Sequence, residues 1–135
     1  AVPDYAKLTC DTRYTDYALL EEVLPKLQAI AAKQYVPDTK TVLKTVTEFQ
    51  SMDEVPGTAA LLQLVQEAAA ECNLPQPTAK AVGGGSDSAY ATVAGVPTIC
   101  ALGVQGVRNH TAEEFAVVDT LFSRCKLFAT IMLNI

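Results

Sequence analysis

Residues 78–103 read TAKAVGGGSDSAYATVAGVPTICALG, and this stretch decides the fold class. Thr78 to Val82 is a short strand pattern that runs straight into Gly83-Gly84-Gly85. Ser86 or Asp87 then caps a helix reaching about Ala94, and Gly95 ends it in the left-handed conformation that glycine adopts without steric cost. Val96 to Gly103 is a mostly apolar run, as expected of a strand covered on both faces. Strand, glycine turn, helix and strand in that order predict α/β layering with a parallel element.

Working outward, Asp119 is placed to cap a last amphipathic helix carrying Leu121, Phe122, Cys125, Phe128, Ile131 and Met132. On the other side, Thr58 opens an alanine-rich helix with Leu61, Leu62, Leu64, Val65, Ala68, Ala69 and Cys72, closed by Asn73 to Pro77. Ser51 to Gly57 (SMDEVPG) is a polar stretch with Pro and Gly, the best boundary in the chain. Before it, Thr39 to Phe49 is rich in Thr and Val and predicts a strand. Leu20, Val23, Leu24, Leu27, Ile30 and Ala31 recur at helical spacing behind a Thr15-Asp16 cap. Pro25 requires either a kink there or a restart of the helix. Tyr5 to Arg13 alternates, with Ala6, Leu8 and Cys10 opposite Lys7, Thr9, Asp11 and Arg13, the period of a half-buried strand. Residues 1 to about 50 therefore read β-α-β.

The chain has 135 residues, half of them apolar and 19% charged, which is the composition of a globular protein rather than a disordered one. Its formal charge of −5 is a deficit where a nucleic-acid binder needs a surplus of cations. No apolar run approaches the ~20 residues that span a bilayer, and no signal-peptide pattern opens the sequence. Four cysteines at 10, 72, 100 and 125 show no CxxC spacing. They predict free, buried thiols and a cytoplasmic setting.

Three features carry chemistry. The triglycine lets backbone approach a ligand closely, and the helix start behind it offers unpaired N–H groups to an anion. It matches neither GxxxxGK[ST] nor GxGxxG. His110 is the sole histidine, and Thr111 with Glu114 forms a possible capping box that sets it before a helical turn. One histidine cannot complete a catalytic zinc site, which needs about three protein ligands. A serine mechanism would need Ser86 or Ser88 as nucleophile, His110 as base and Asp87 or Asp119 to orient it, without a GxSxG elbow. Arg13 lies two residues from Asp11. It is either half of a surface ion pair or a fork of donors suited to a substrate carboxylate.

Ala1-Val2-Pro3-Asp4 through Asp11-Thr12-Arg13 resembles the N-x-I-P-D…D-x-R strand of the dinuclear zinc exopeptidases and amidohydrolases. That family includes glutamate carboxypeptidase, aminoacylase, acetylornithine deacetylase, succinyl-diaminopimelate desuccinylase and peptidase T. Gly83-Gly84-Gly85-Ser86-Asp87-Ser88-Ala89-Tyr90, Gly95-Val96-Pro97, Gly103, Gly106, and His110 with Glu114 follow that family's C-terminal signature in the same order. The resemblance spans essentially the whole chain.

What the resemblance implies is specific. Residues 1–52 would be the second half of a ferredoxin-like βαββαβ lid that mediates homodimerisation. Residues 53–135 would be the C-terminal part of the zinc-exopeptidase α/β catalytic domain. His110 would be a metal ligand for a centre of two Zn2+ ions, with Co2+ or Mn2+ as substitutes. Arg13 would grip the carboxylate of a peptide or N-acyl amino acid, beside Gly84 and Gly85. No catalytic residue falls in these 135 residues. The remaining ligands and the general base would lie in an N-terminal half of the same protein, so the chain alone is expected to be inactive. The other reading is a non-catalytic carboxylate-binding or dimerisation module.

Overall fold

The computed structural model describes residues 2–135. Four helices dominate: α1 (Tyr17–Ala32), α2 (Thr58–Glu71), α3 (Ser88–Val93) and α4 (Val118–Leu133). A two-stranded antiparallel sheet, β1 (Gly106–Val107) with β2 (Phe115–Ala116), precedes α4. Its register pairs Gly106 with Ala116 and Val107 with Phe115. Mixed helix and sheet is compatible with an α/β class.

The core is the seam between α2 and α4. Val65, Ala68 and Ala69 recur at helical spacing on α2 and meet Leu127 and Ile131 of α4. The two alanines have short side chains, so a large Leu127 can be fully enclosed against them. Leu64, Leu74, Ile99 and Leu102 pack around this seam. Polar ties close its margins: Cys72 Sγ lies 3.2 Å from Thr130 Oγ1, and Asn134 Nδ2 donates to Glu71 Oε2 at 3.3 Å.

Helix ends follow local rules. Asp16 caps α1, its side chain accepting from the Ala18 N–H at 2.8 Å. Asn73, with φ of 57°, terminates α2 in a Schellman turn, where Leu74 N–H reaches Ala69 O and Asn73 N–H reaches Ala70 O. Gly95, with φ of 79°, closes α3 in the same way through Val96 N–H to Ala91 O. Helix α1 runs through Pro25 as one element, neither broken nor restarted.

Several expectations are corrected. Thr58 is the first residue of α2, not its cap; Gly57 holds that position, and the Thr58 hydroxyl instead accepts from Val55 N–H. Asp119 likewise stands in the first turn of α4, whose cap is Val117. The buried face of α4 is Leu127 and Ile131, whereas Phe122 and Met132 are exposed. Apolar side chains occupy so much of that helix that its partner α2, not the pattern, selects the face. The four cysteines are free as expected, but only Cys72 is buried.

The larger correction concerns strands. Residues 5–13, 39–49, 78–82 and 96–103 carry no ladder pairing among the described residues. Alternation says which face of a strand wants burial, but a strand exists only with a neighbour in register. No such neighbour meets these segments, and Leu8 and Val46 stand about nine-tenths exposed. The molecule presents 10,854 Å² to solvent, against about 6,800 Å² for a closed globule of this length.

Candidate functional site

Three segment ends converge although they are far apart in sequence. Arg13 and Tyr14 end the first extended segment, Glu48 and Phe49 end the second, and the triglycine follows the third. Tyr14 Oη donates to Phe49 O. Tyr17 Oη, at the start of α1, donates to Glu48 Oε1 at 2.8 Å. Burial first, then the Glu48 carboxylate, holds the Tyr14 phenol above its ordinary pKa, so it remains a neutral donor.

Arg13 reaches the glycine turn directly. Its Nη1 donates to Gly83 O at 3.2 Å. Its Nε and Nη2 donate to Asp11 Oδ2 at 3.3 and 3.1 Å. The ion pair with Asp11 is therefore formed, and it occupies one edge of the guanidinium. Arg13, Leu19, Leu20, Val23 and Val82 line a groove of about 460 Å³ that ends at Gly83.

The triglycine is needed for closeness rather than for left-handed backbone. None of its three residues has positive φ. A Cβ on Gly83 would lie 3.3 Å from Arg13 Nη1, and one on Gly85 would lie 3.3 Å from Phe49 Cγ. Gly84 faces open space, with nothing within 4 Å. Ser86 Oγ accepts from Ser88 N–H at the start of α3 and lies 3.1 Å from Cys100 Sγ. Hydrogen bonds from Ser86 and then Ser88 lower the Cys100 thiol below its ordinary pKa.

His110 belongs to a different groove, of about 490 Å³, lined by residues of the β1–β2 hairpin and its loop. The hairpin and its loop replace the helical turn expected after His110. Arg108 and His110 both adopt positive φ, 57° and 65°. The Glu114 carboxylate accepts from His110 N–H at 3.1 Å, and Arg108 pairs with Glu113. Strands of two residues each leave no alternation to read, which is why the sequence gives no sign of the hairpin. A Cβ at Gly106 would meet Asn109 Oδ1 at 2.7 Å, so the glycine leaves room for that side chain in the turn.

A family model described as Peptidase family M20/M25/M40 matches residues 18–134. The chain belongs to that family. No curated protein and no solved structure matches it. Membership in M20/M25/M40 makes the chain part of a metal-dependent peptidase or amidohydrolase family. Gly84, Gly85 and His110 lie within the matched residues, and Arg13 lies just before them.

The residues present do not amount to the metal centre of such an enzyme. Among the described residues, no group of three or more His, Cys, Asp or Glu side chains is placed to hold an ion. His110 offers one imidazole, and the Glu114 carboxylate beside it is engaged by the His110 backbone N–H. Among the same residues, no helix is long and apolar enough to cross a membrane.

Proposed function

We propose that this chain contributes the carboxylate-recognition half of a zinc-dependent exopeptidase or amidohydrolase that cleaves a peptide or an N-acyl amino acid. The observation that carries the reading is the Arg13–Gly83 contact, which joins residues 70 positions apart at the mouth of a groove. A guanidinium is the side chain best matched to a carboxylate, since two parallel N–H bonds fix both distance and orientation. Holding a substrate by that end aligns its amide bond for attack, which is where positioning lowers a barrier.

In this reading residues 1–52 act as the lid half and residues 53–135 as the end of the catalytic domain. His110 donates one ligand to a two-zinc centre, and other polypeptide supplies the rest. The same division of labour makes a cytoplasmic homodimer, joined through the lid, the assembly we propose. Because the donors here are incomplete, no hydrolytic step is assigned to this chain's own residues. The isolated chain therefore binds a carboxylate without turning it over, the behaviour also expected of a non-catalytic module.

Calorimetric titration with N-acetyl amino acids tests the proposal. Arg13→Met is expected to weaken binding at least about ten-fold, as loss of a charge-assisted bidentate contact should. Arg13→Lys recovers only part of it. Binding that ignores Arg13, or hydrolysis by the isolated chain at saturating zinc, contradicts the assignment.

A further inference from the structure

The first and third residues of the triglycine are braced by different side chains. Arg13 Nη1 donates to Gly83 O at 3.2 Å. At the other end the Phe49 ring lies against Gly85, where a Cβ would come within 3.3 Å of its Cγ and 3.4 Å of its Cδ1. That approach is tighter than ordinary van der Waals contact, so the ring rests on main chain that a larger residue would cover. Phe49 is anchored in turn, because its carbonyl accepts from Tyr14 Oη. Tyr14 follows Arg13 in the sequence. Arg13, Gly83, Gly85, Phe49 and Tyr14 therefore close a ring through three segments of the chain.

Among the described residues no strand ladder fixes these segments relative to one another, so side-chain contacts must set their spacing. Tyr17 steadies the Phe49 corner from both flanks. Its hydroxyl donates to Glu48 Oε1 at 2.8 Å, and its N–H donates to Asp53 Oδ2 at 3.4 Å. Its ring meets that of Tyr14 edge-on, with centroids 6.2 Å apart. The two routes from Arg13 to the triglycine differ in kind. The direct route uses a guanidinium N–H, the group for which a carboxylate ligand competes. The route through Tyr14 and Phe49 uses a phenol, a main-chain carbonyl and ring carbons, and a ligand at the fork takes none of them. It keeps its length when the guanidinium is engaged.

We propose that Phe49 is a positioning residue: through Gly85 it sets the span between the Arg13 guanidinium and the triglycine backbone, so that one ligand reaches both. Tyr14 acts through Phe49. The proposal rests on the carboxylate reading of Arg13 and adds what holds the second point of contact at its distance.

Two probes test it by titration of the 135-residue chain. N-acetyl-glycine is long enough to span the fork and the glycine turn, whereas acetate needs the fork alone. Phe49→Ala removes the ring and keeps the carbonyl; Tyr14→Phe removes the hydroxyl and keeps the ring. Each should weaken N-acetyl-glycine by about five-fold or more, the scale of residues coupled in one network, and the double variant should be no weaker than the worse single one. Acetate should change by less than about two-fold, and Phe49→Tyr should restore N-acetyl-glycine. Arg13→Met should weaken both probes. If N-acetyl-glycine ignores Phe49 but depends on Arg13, the positioning role is overturned while the carboxylate reading stands. An equal loss for acetate means that Phe49 supports the chain generally, and additive losses mean that Tyr14 and Phe49 act separately; either result overturns the role. Binding that ignores Arg13, or no binding of either probe, overturns the carboxylate reading and the role with it.

Discussion

The α2–α4 seam and residues 2–50 obey different physics within one chain. In the seam, Val65, Ala68, Ala69 and Leu127 are at most 1% exposed, and α2 ends in a fully bonded turn. In the other region α1 buries no side chain, and its flanking segments have no ladder partners among the described residues. The difference teaches where stability and recognition reside. Enclosed methyl groups hold the seam together, while the open region keeps apolar and cationic side chains available to something else.

The strongest way to break this contrast is by truncation. Leu127→Ala should cost about 2–5 kcal/mol, because its cavity lies between two helices that cannot close over it. Ile30→Ala, on the exposed face of α1, should stay within about 0.5 kcal/mol. Urea melts of the two variants compare them directly, and equal losses would erase the distinction between the regions.

Thiol chemistry sharpens it next. Cys100 is exposed, and its thiol is lowered by the Ser86 and Ser88 hydroxyls, so its thiolate fraction rises at lower pH than for an ordinary cysteine. Its alkylation should reach half-maximal rate below the ordinary thiol midpoint. Cys72, buried at the seam, reacts only when the seam opens, and should lag by at least about a hundredfold. Ser86→Ala should move the Cys100 midpoint upward. Peptide-resolved mass spectrometry against pH reads all three outcomes.

The smallest effect tests the edge of the seam. Asn73 holds φ of 57° at the end of α2, a conformation that costs a residue with a Cβ about 1 kcal/mol. Asn73→Gly should therefore be neutral or stabilise by up to about 1 kcal/mol, and Asn73→Val should destabilise by more than that. The midpoint of urea unfolding measures both.

Much of this was legible in the sequence where the physics is local. Asp16 and Gly95 act as their positions suggest, because a cap or a left-handed terminus depends on a few neighbouring peptide groups. Val65, Ala68 and Ala69 were readable from spacing alone. Leu127 was not, since apolar residues are spread around much of α4 and do not reveal which side its partner will take. The extended segments failed for a related reason: alternation is a property of one chain, and pairing is a property of two. At the site, Arg13 and the triglycine were each identifiable from residue type, but their contact across 70 positions was not. His110 stood out as the sole histidine, while the hairpin presenting it left no periodic trace.

The partner that Gly83 offers to Arg13 is a main-chain oxygen, and this has a consequence for variation. Exchanging the side chain at position 83 cannot delete an acceptor that every residue possesses; it can only shift where that oxygen sits. The loop's influence on the arginine is thus written in backbone shape, and a mutational scan will register it as intolerance to bulk rather than as loss of any functional group.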